Sequence, residues 1–248
     1  MNLKAPEDRE VFERLLEKAD FLVENFRPGT MEKLGYSWEM LHERYPTLIY
    51  AAISGFGQTG PEAKQAAYDM TVQALGGLIN LTGESGGSPT RVGTSVGDIC
   101  AGMMAAFGVS AALYDHSNTG TGRKLDISML DTQVAMLENA LVAYQATGRV
   151  PGPIGSHHPS IAPFGAFKAK DGNFILAAGN EKLFRAAMGA IGGKAVIEDP
   201  RCLIPWFDGA IYSLEWKEAL WDKFVMVAPR PRTPSEQQYS DRKLRTRR

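Results

Sequence analysis

Val11-Phe12-Glu13-Arg14-Leu15-Leu16-Glu17-Lys18-Ala19-Asp20-Phe21-Leu22-Val23, residues 11–23, changes its hydrophobic period partway through. Val11, Phe12, Leu15, Leu16 and Ala19 recur at helical spacing, which predicts a helix from Pro6 to Ala19. Asp20-Phe21-Leu22-Val23 then reads as a short buried strand. Asn25-Phe26-Arg27-Pro28-Gly29 interrupts the pattern, Thr30 and Ser37 are expected to cap short helices, and Leu48 to Ile53 is a second apolar strand. Helices alternating with short apolar strands define an α/β fold.

Further along, Asp69 to Leu81, Ile99 to Tyr114 and Leu130 to Thr147 read as helices, and Lys124 to Ser128 as a strand. Pro151-Gly152-Pro153-Ile154-Gly155 resembles a linker. Beyond it, Ala166 to Lys170 and Asn173 to Leu176 flank Asp171-Gly172, a hairpin signal that opens a second, smaller unit. From about Leu203 the chain becomes tryptophan-rich and then proline- and arginine-rich, so its end is expected to be disordered.

The 248 residues, 44% hydrophobic and 22% charged, suit one large domain or two smaller ones. A formal net charge of -1 gives no global attraction to nucleic acid or to an anionic membrane. Only Arg242, Lys243, Arg245, Arg247 and Arg248 form a basic patch, and exposed charged tails usually just solvate. Cys100 and Cys202 make no CxxC pair, so neither a disulfide framework nor a zinc site is expected, and a reducing cytoplasm fits. No secretory signal opens the chain. The apolar run from Ile99 to Tyr114 falls short of the roughly 20 residues that cross a bilayer, which predicts a buried helix and no membrane partner.

Gly83-Glu84-Ser85-Gly86-Gly87 satisfies the G-x-S-x-G pattern of a serine hydrolase, but a nucleophile elbow needs a strand before the serine and a helix after it. Here a helix-like segment precedes and Ser88-Pro89-Thr90 follows, so Ser85 reads as a loop residue. His157 and His158 adjoin in a Pro/Gly-rich stretch without a ligand at i+4, and no metal site is expected. No GxxxxGK[ST] occurs, so the α/β pattern alone implies no P-loop chemistry. Asp98 opens an apolar helix behind Val92-Gly93-Thr94-Ser95-Val96-Gly97. A carboxylate there faces free amides and the positive helix end, which favour its ionised form by about 0.3–1 kcal/mol. Pattern alone leaves two readings, a helix cap or an ionised nucleophile. In the helix itself, Ala101, Ala105, Gly108 and Ala112 form a small-residue face that lets another backbone approach closely.

Several motifs in fixed order turn this into a resemblance. Val23-Glu24-Asn25-Phe26-Arg27-Pro28-Gly29, Ile53-Ser54-Gly55-Phe56-Gly57-Gln58-Thr59-Gly60-Pro61, Ala67-Tyr68-Asp69, Val96-Gly97-Asp98 and Gly120-Thr121-Gly122-Arg123-Lys124 together resemble class III coenzyme A transferases, the formyl-CoA transferase family, from the start to about Pro200. The resemblance implies a CoA-transferase that moves CoA between an acyl-CoA and a small carboxylic or dicarboxylic acid, with Asp98 as nucleophile. The intermediates it implies are an acyl-aspartyl anhydride and an aspartyl-CoA thioester. It places Asn25, Phe26, Lys33, Leu34 and Met129 against CoA, and Tyr68 and Asp69 near the reacting acyl group. It implies no tightly bound cofactor, CoA itself being a substrate, and a homodimer of interlocked chains. Related acyl-CoA racemases carry histidine at the Tyr68 position. Tyrosine, with a far higher reference pKa, is a poor base at neutral pH and argues for transfer over racemisation.

On the same resemblance, residues 1–129 are part of a Rossmann-like large CoA-binding domain, 130–155 a helix and linker, 156–202 part of a smaller α+β domain, and 203–248 a divergent tail. Ser160-Ile161-Ala162-Pro163-Phe164 is similar to members acting on small dicarboxylates such as succinate and glutarate. The family's N-terminal βα segment and long C-terminal part have no counterpart in these motifs, so this chain alone is expected to be a weak or inactive transferase.

Overall fold

The structure, a computed structural model, describes residues 1–199 of the 248. The expectations for Cys202, for the tryptophan-rich stretch and for the basic C-terminus lie outside the described residues. The chain divides into a unit spanning Met1–Pro153 and a second that begins at Ile154.

The first unit opens with α1 (Pro6–Leu16), β1 (Phe21–Glu24), α2 (Thr30–Lys33), α3 (Trp38–Arg44) and β2 (Ile49–Ser54). It continues through α4 (Asp69–Leu75), α5 (Leu78–Leu81), α6 (Val96–Thr119), β3 (Lys124–Ser128), α7 (Met129–Ala135) and α8 (Asn139–Thr147). The strands form a parallel sheet in the order β1-β2-β3, with Val23 opposite Ala51 and Ala52 opposite Asp126. Side chains of a strand alternate between faces, and β2 shows both. Tyr50 and Ala52 join Leu16, Met31, Tyr36, Leu41 and Leu48 in one core beneath α1, α2 and α3. Ile53 faces the other way, against Val72, Ala101 and Met129. With Leu41 and Leu48 at 0% and 1% exposure, each such side chain contributes about 1.5–3 kcal/mol of transfer free energy.

The α/β alternation and the three strands agree with the sequence reading within a residue or so at each end, α1 stops at Leu16 rather than Ala19, and four further details differ. Ser37 does cap α3, its Oγ accepting from the Met40 amide at 3.3 Å. Thr30 does not cap α2; the preceding Gly29 holds that position, and Thr30 is already helical. The helix expected over 69–81 is two helices, because Gly77 turns left-handed at φ 83° between them. That expected over 130–147 is also two, broken at Glu138, whose φ is 48°.

The fourth difference concerns α6. Helical geometry runs through Asp115 to Thr119, beyond the uncharged stretch, to give 24 residues with a mean hydropathy of 1.6 in the most apolar window. By length and composition it is therefore long and apolar enough to cross a membrane, contrary to the count from sequence. Only one face is buried, formed by Ala101, Ala105, Val109 and Ala112 against the sheet and α7. Ile99, Met103, Phe107 and Tyr114 on the rest of its surface are exposed, Phe107 to 72%. The expected small-residue face is thus the packed one. A Cβ at Gly108 would sit 3.4 Å from Leu125 Cδ1 of β3.

Gly120-Thr121-Gly122-Arg123 returns the chain from α6 into β3. The Gly122 amide donates to Pro46 O at 2.8 Å, and a Cβ on it would fall 2.0 Å from Leu48 O, so only glycine fits beside that backbone. Arg123 Nε reaches back to Asp115 Oδ2 at 2.7 Å. The motif is architectural at this point.

The second unit contains the expected hairpin, β4 (Phe164–Lys168) antiparallel to β5 (Asn173–Ala177), closed by the Ala169 amide donating to Gly172 O at 2.7 Å. Phe167 and Phe174 on one face pack with Phe184 and Met188 of α9 (Glu181–Ala190), and α10 (Lys194–Ile197) follows. Asn180 caps α9 by accepting from the Leu183 amide at 2.9 Å. His158 Nδ1 accepts from the Ser160 and Ile161 amides, an arrangement that shapes the loop before β4.

Candidate active site

In a parallel sheet, all strands deliver their carboxyl ends to one edge, and ligand sites of open α/β sheets lie there. Here β1 ends into Asn25-Phe26-Arg27-Pro28, β2 into Ser54-Gly55 and β3 into Met129, and all of these line one cavity of about 450 Å³. Its remaining wall is Gln65 to Tyr68, ahead of α4, and Asp98, Ala101 and Gly102 of α6.

Local bonds fix each strand end. Asn25 Nδ2 donates to Ile53 O at 2.8 Å, tying the loop after β1 to β2. The Phe26 amide donates to Glu24 Oε2 at 2.6 Å, and the Tyr50 hydroxyl donates to Glu24 Oε1 at 2.9 Å. Burial pushes the Glu24 carboxyl above its ordinary range, against the lowering effect of these two donors. The same burial, with Glu24 alongside, pushes the Tyr50 phenol up. Past β2, the Gln58 amide donates to both carboxylate oxygens of Asp126, at 3.0 and 2.9 Å, which holds the Gly55–Gln58 turn over β3. A Cβ on Gly55 would lie 2.4 Å from Ala67 Cβ, so the missing side chain lets the segment carrying Tyr68 close against β2. Tyr68 itself projects outward at 80% exposure.

Asp98 is the third residue of α6, not its cap, which is Ser95 without a side-chain bond. The carboxylate that does serve the start of α6 comes from another helix. Asp69 Oδ1 accepts from the Gly97 amide at 2.8 Å, and its Oδ2 accepts from Gln73 Nε2 at 2.8 Å, with Arg91 Nη1 at 3.9 Å. Asp69 is buried at 8% exposure, whereas Asp98 is exposed at the cavity wall. Crowding around the Asp98 carboxyl raises its pKa, and the negative charge of Asp69 raises it further. The lowering expected from the helix terminus is outweighed, first by the loss of solvent around the carboxyl and then by the charge of Asp69. A carboxylate less acidic than usual on a cavity wall makes Asp98 a candidate reacting group.

Of the residues that sequence reasoning singled out, the structure brings Asn25, Phe26, Tyr68, Asp98 and Met129 to one cavity. Asp69 stands behind the wall. Lys33 and Leu34 do not line it: Lys33 is exposed on α2, and Leu34 packs against the core with Tyr36 and Leu41. Ser85 lies exposed in a turn after α5, with no strand before it, and so lacks the setting of a hydrolase nucleophile. Among the described residues no group of three His, Cys, Asp or Glu side chains could hold a metal ion. Sequence reasoning missed Glu24, Gln73 and Arg91. Gln73 was discoverable as a donor one helical turn after Asp69, but Arg91 carries no local signal.

A parallel sheet whose strand ends surround a carboxylate on an adjoining helix defines an α/β protein with a ligand site at its carboxyl edge. The sequence pattern of CoA-transferase family III matches residues 1–203, and the chain belongs to that family. It is 47% identical over 202 residues to the acetyl-CoA:oxalate CoA-transferase of Acetobacter aceti, covering 81% of this chain and 52% of that protein. Against the succinate–glutarate CoA-transferase of Agrobacterium fabrum it is 39% identical over 200 residues, covering 81% and 50%. A CAIB/BAIF family protein of Brucella suis superposes with a TM-score of 0.72 at 30% identity, covering 98% of this chain and 63% of that one. The chain thus spans about half the length of the curated relatives it matches.

Proposed function

We propose that this chain is a CoA-transferase that moves CoA from an acyl-CoA to a small carboxylic or dicarboxylic acid, with Asp98 as the covalent nucleophile. The observation that carries the reading is the position of Asp98 on the wall of the cavity that Asn25, Phe26, Tyr68 and Met129 share. An Asp98 carboxylate oxygen attacks the thioester carbonyl and CoA leaves as thiolate, giving the acyl-aspartyl anhydride. The thiolate then attacks the aspartyl carbonyl and releases the donor carboxylate, leaving an aspartyl-CoA thioester. The acceptor carboxylate displaces thiolate in turn, and attack of that thiolate on the acceptor's acyl carbon forms the new thioester and regenerates Asp98. Each intermediate remains an activated acyl group, so the transfer is divided without loss of activation.

Asn25, Phe26 and Met129 contact CoA in this reading, with Lys33 and Leu34 further out at the end of α2. Tyr68 and Asp69 belong to the acyl end. Small acids as substrates are supported by the relatives, which are named for oxalate and for succinate and glutarate. A cytoplasmic homodimer is the form proposed, the exposed Ile99, Met103 and Phe107 face of α6 being compatible with a second copy. Mass spectrometry of the chain mixed with succinyl-CoA and quenched with hydroxylamine should find the modification on Asp98. Robust transferase activity retained by Asp98→Ala would overturn the assignment.

A further inference from the structure

We propose that Gln73 is a positioning residue for the Asp98 nucleophile: one buried amide joins Asp69, the anion that holds the first turn of α6, to the segment that leads into that turn. The inference rests on Asp98 being the reacting carboxylate. Gln73 has no exposed surface and is absent from the cavity wall, so it touches no ligand there. Its three bonds are directional. Nε2 donates to Asp69 Oδ2 at 2.8 Å and, more weakly, to Thr94 O at 3.4 Å, while Oε1 accepts from the Val92 amide at 3.0 Å. Asp69 Oδ1 in turn accepts from the Gly97 amide, one residue before Asp98. One end of the 92–97 segment is thereby bonded to Gln73 and the other to Asp69, the neighbour that Gln73 holds on α4.

Chemistry distinguishes positioning from mere packing at this residue. A glutamine can donate and accept at once, and both functions are used. Gln73→Glu keeps the acceptor for Val92 and the volume, but it turns an oxygen toward Asp69 in place of the N–H. While protonated, that glutamic acid can donate to Asp69 as the amide does; once ionised, it repels Asp69. Asp69 on its own helix is bonded to it, with Arg91 beside Asp69; Asp98 on α6 feels the Asp69 charge, and α7 brings the neutral Gln133 to Gly76 and Gly97. The substitution therefore converts a fixed bond into a pH-dependent one.

The test measures Asp98 acylation by succinyl-CoA across pH for the wild-type chain, Gln73→Glu and Gln73→Met, with thermal unfolding alongside. A parallel titration follows the Asp98 carboxyl by carbon-13 NMR, which needs no turnover. Gln73→Glu should acylate near the wild-type rate in acid and fall about 10–100-fold as pH rises, the scale for reacting groups displaced by up to about 1 Å. Its half-saturating succinyl-CoA concentration should stay unchanged. Gln73→Met should be slow at every pH. Should Gln73→Met fail to fold, the Gln73→Glu pH profile decides alone. Wild-type rates in Gln73→Glu at all pH, or a uniform loss that follows its unfolding, would overturn the proposal. If the wild-type chain, which spans about half the length of its relatives, shows no acylation at all, the rates do not bear on this inference. The NMR arm then decides this inference on Gln73→Met, which adds no charge: an Asp98 titration that moves in it supports the inference, and an unmoved one refutes it.

Discussion

Replacing Gly97 by alanine should separate stability from reactivity, because the added carbon falls at the junction that holds Asp98. It would lie 2.9 Å from Val72 Cγ2 and 3.0 Å from Asp69 Oδ1. Carbon atoms pack at about 3.5–4.0 Å, so α4 and α6 must part by about 0.6–1.1 Å to accept it. Val72 is fully buried and offers no flexible end to yield. The same movement stretches the 2.8 Å bond from the Gly97 amide to Asp69. Overpacking of this kind costs about 1–3 kcal/mol, while alanine in a helix regains about 1 kcal/mol over glycine. The net loss of stability is then only about 0–2 kcal/mol. Reactivity should suffer more, since displacement of a reacting group by about 1 Å lowers rate by roughly 100-fold. Urea unfolding and the rate of Asp98 acylation, measured on the same preparation, check both halves. A Gly97→Ala chain that acylates at the wild-type rate would refute the claim that this contact places Asp98.

Asp98→Asn should abolish acylation and, at neutral pH, stabilise the fold. The native pKa of Asp98 is raised by crowding and by Asp69, so its ionisation is harder in the folded chain than in the unfolded one. Wild-type stability is therefore lost as pH rises through the folded pKa, and the variant should gain over it above that pH and match it below the unfolded pKa. Urea unfolding in acid and at neutrality reads this, and a variant less stable than wild type at neutrality would count against it. Glu24→Leu should cost about 1–3 kcal/mol by leaving the Phe26 amide without its acceptor. Glu24→Gln should be nearly neutral, because its oxygen can serve Phe26 while its amide donates to the Tyr50 hydroxyl, which can reverse its role. Equal losses in the two variants would show that the bond network at the end of β1 is not what holds Phe26.

Much of the first unit was legible in the sequence because its signals are local. The change from a 3.6-residue to a strand pattern at Asp20, the apolar run of β2 and the hairpin around Asp171-Gly172 are each written in neighbouring residues. The family, too, was legible, since five motifs in fixed order do not require distances. Boundaries failed where a backbone conformation depends on contact. Beside the break at Gly77, a Cβ on Gly76 would meet Gln133 Cβ at 2.6 Å, and Gln133 lies on a different helix.

The sequence by itself determined the α/β alternation, the succession of strands whose ends carry Asn25, Ser54 and Met129, and the place of Asp98 near the start of an apolar helix. Tertiary structure alone decided what surrounds that aspartate. Only packing of α4 against α6 brings Asp69 to the Gly97 amide across 28 residues of chain, and only then does the start of the helix acquire an anion that opposes a second charge. Sequence spacing encodes periodicity along one element. The electrostatic setting of a carboxylate falls off with distance in space, and that distance exists only once the elements have packed.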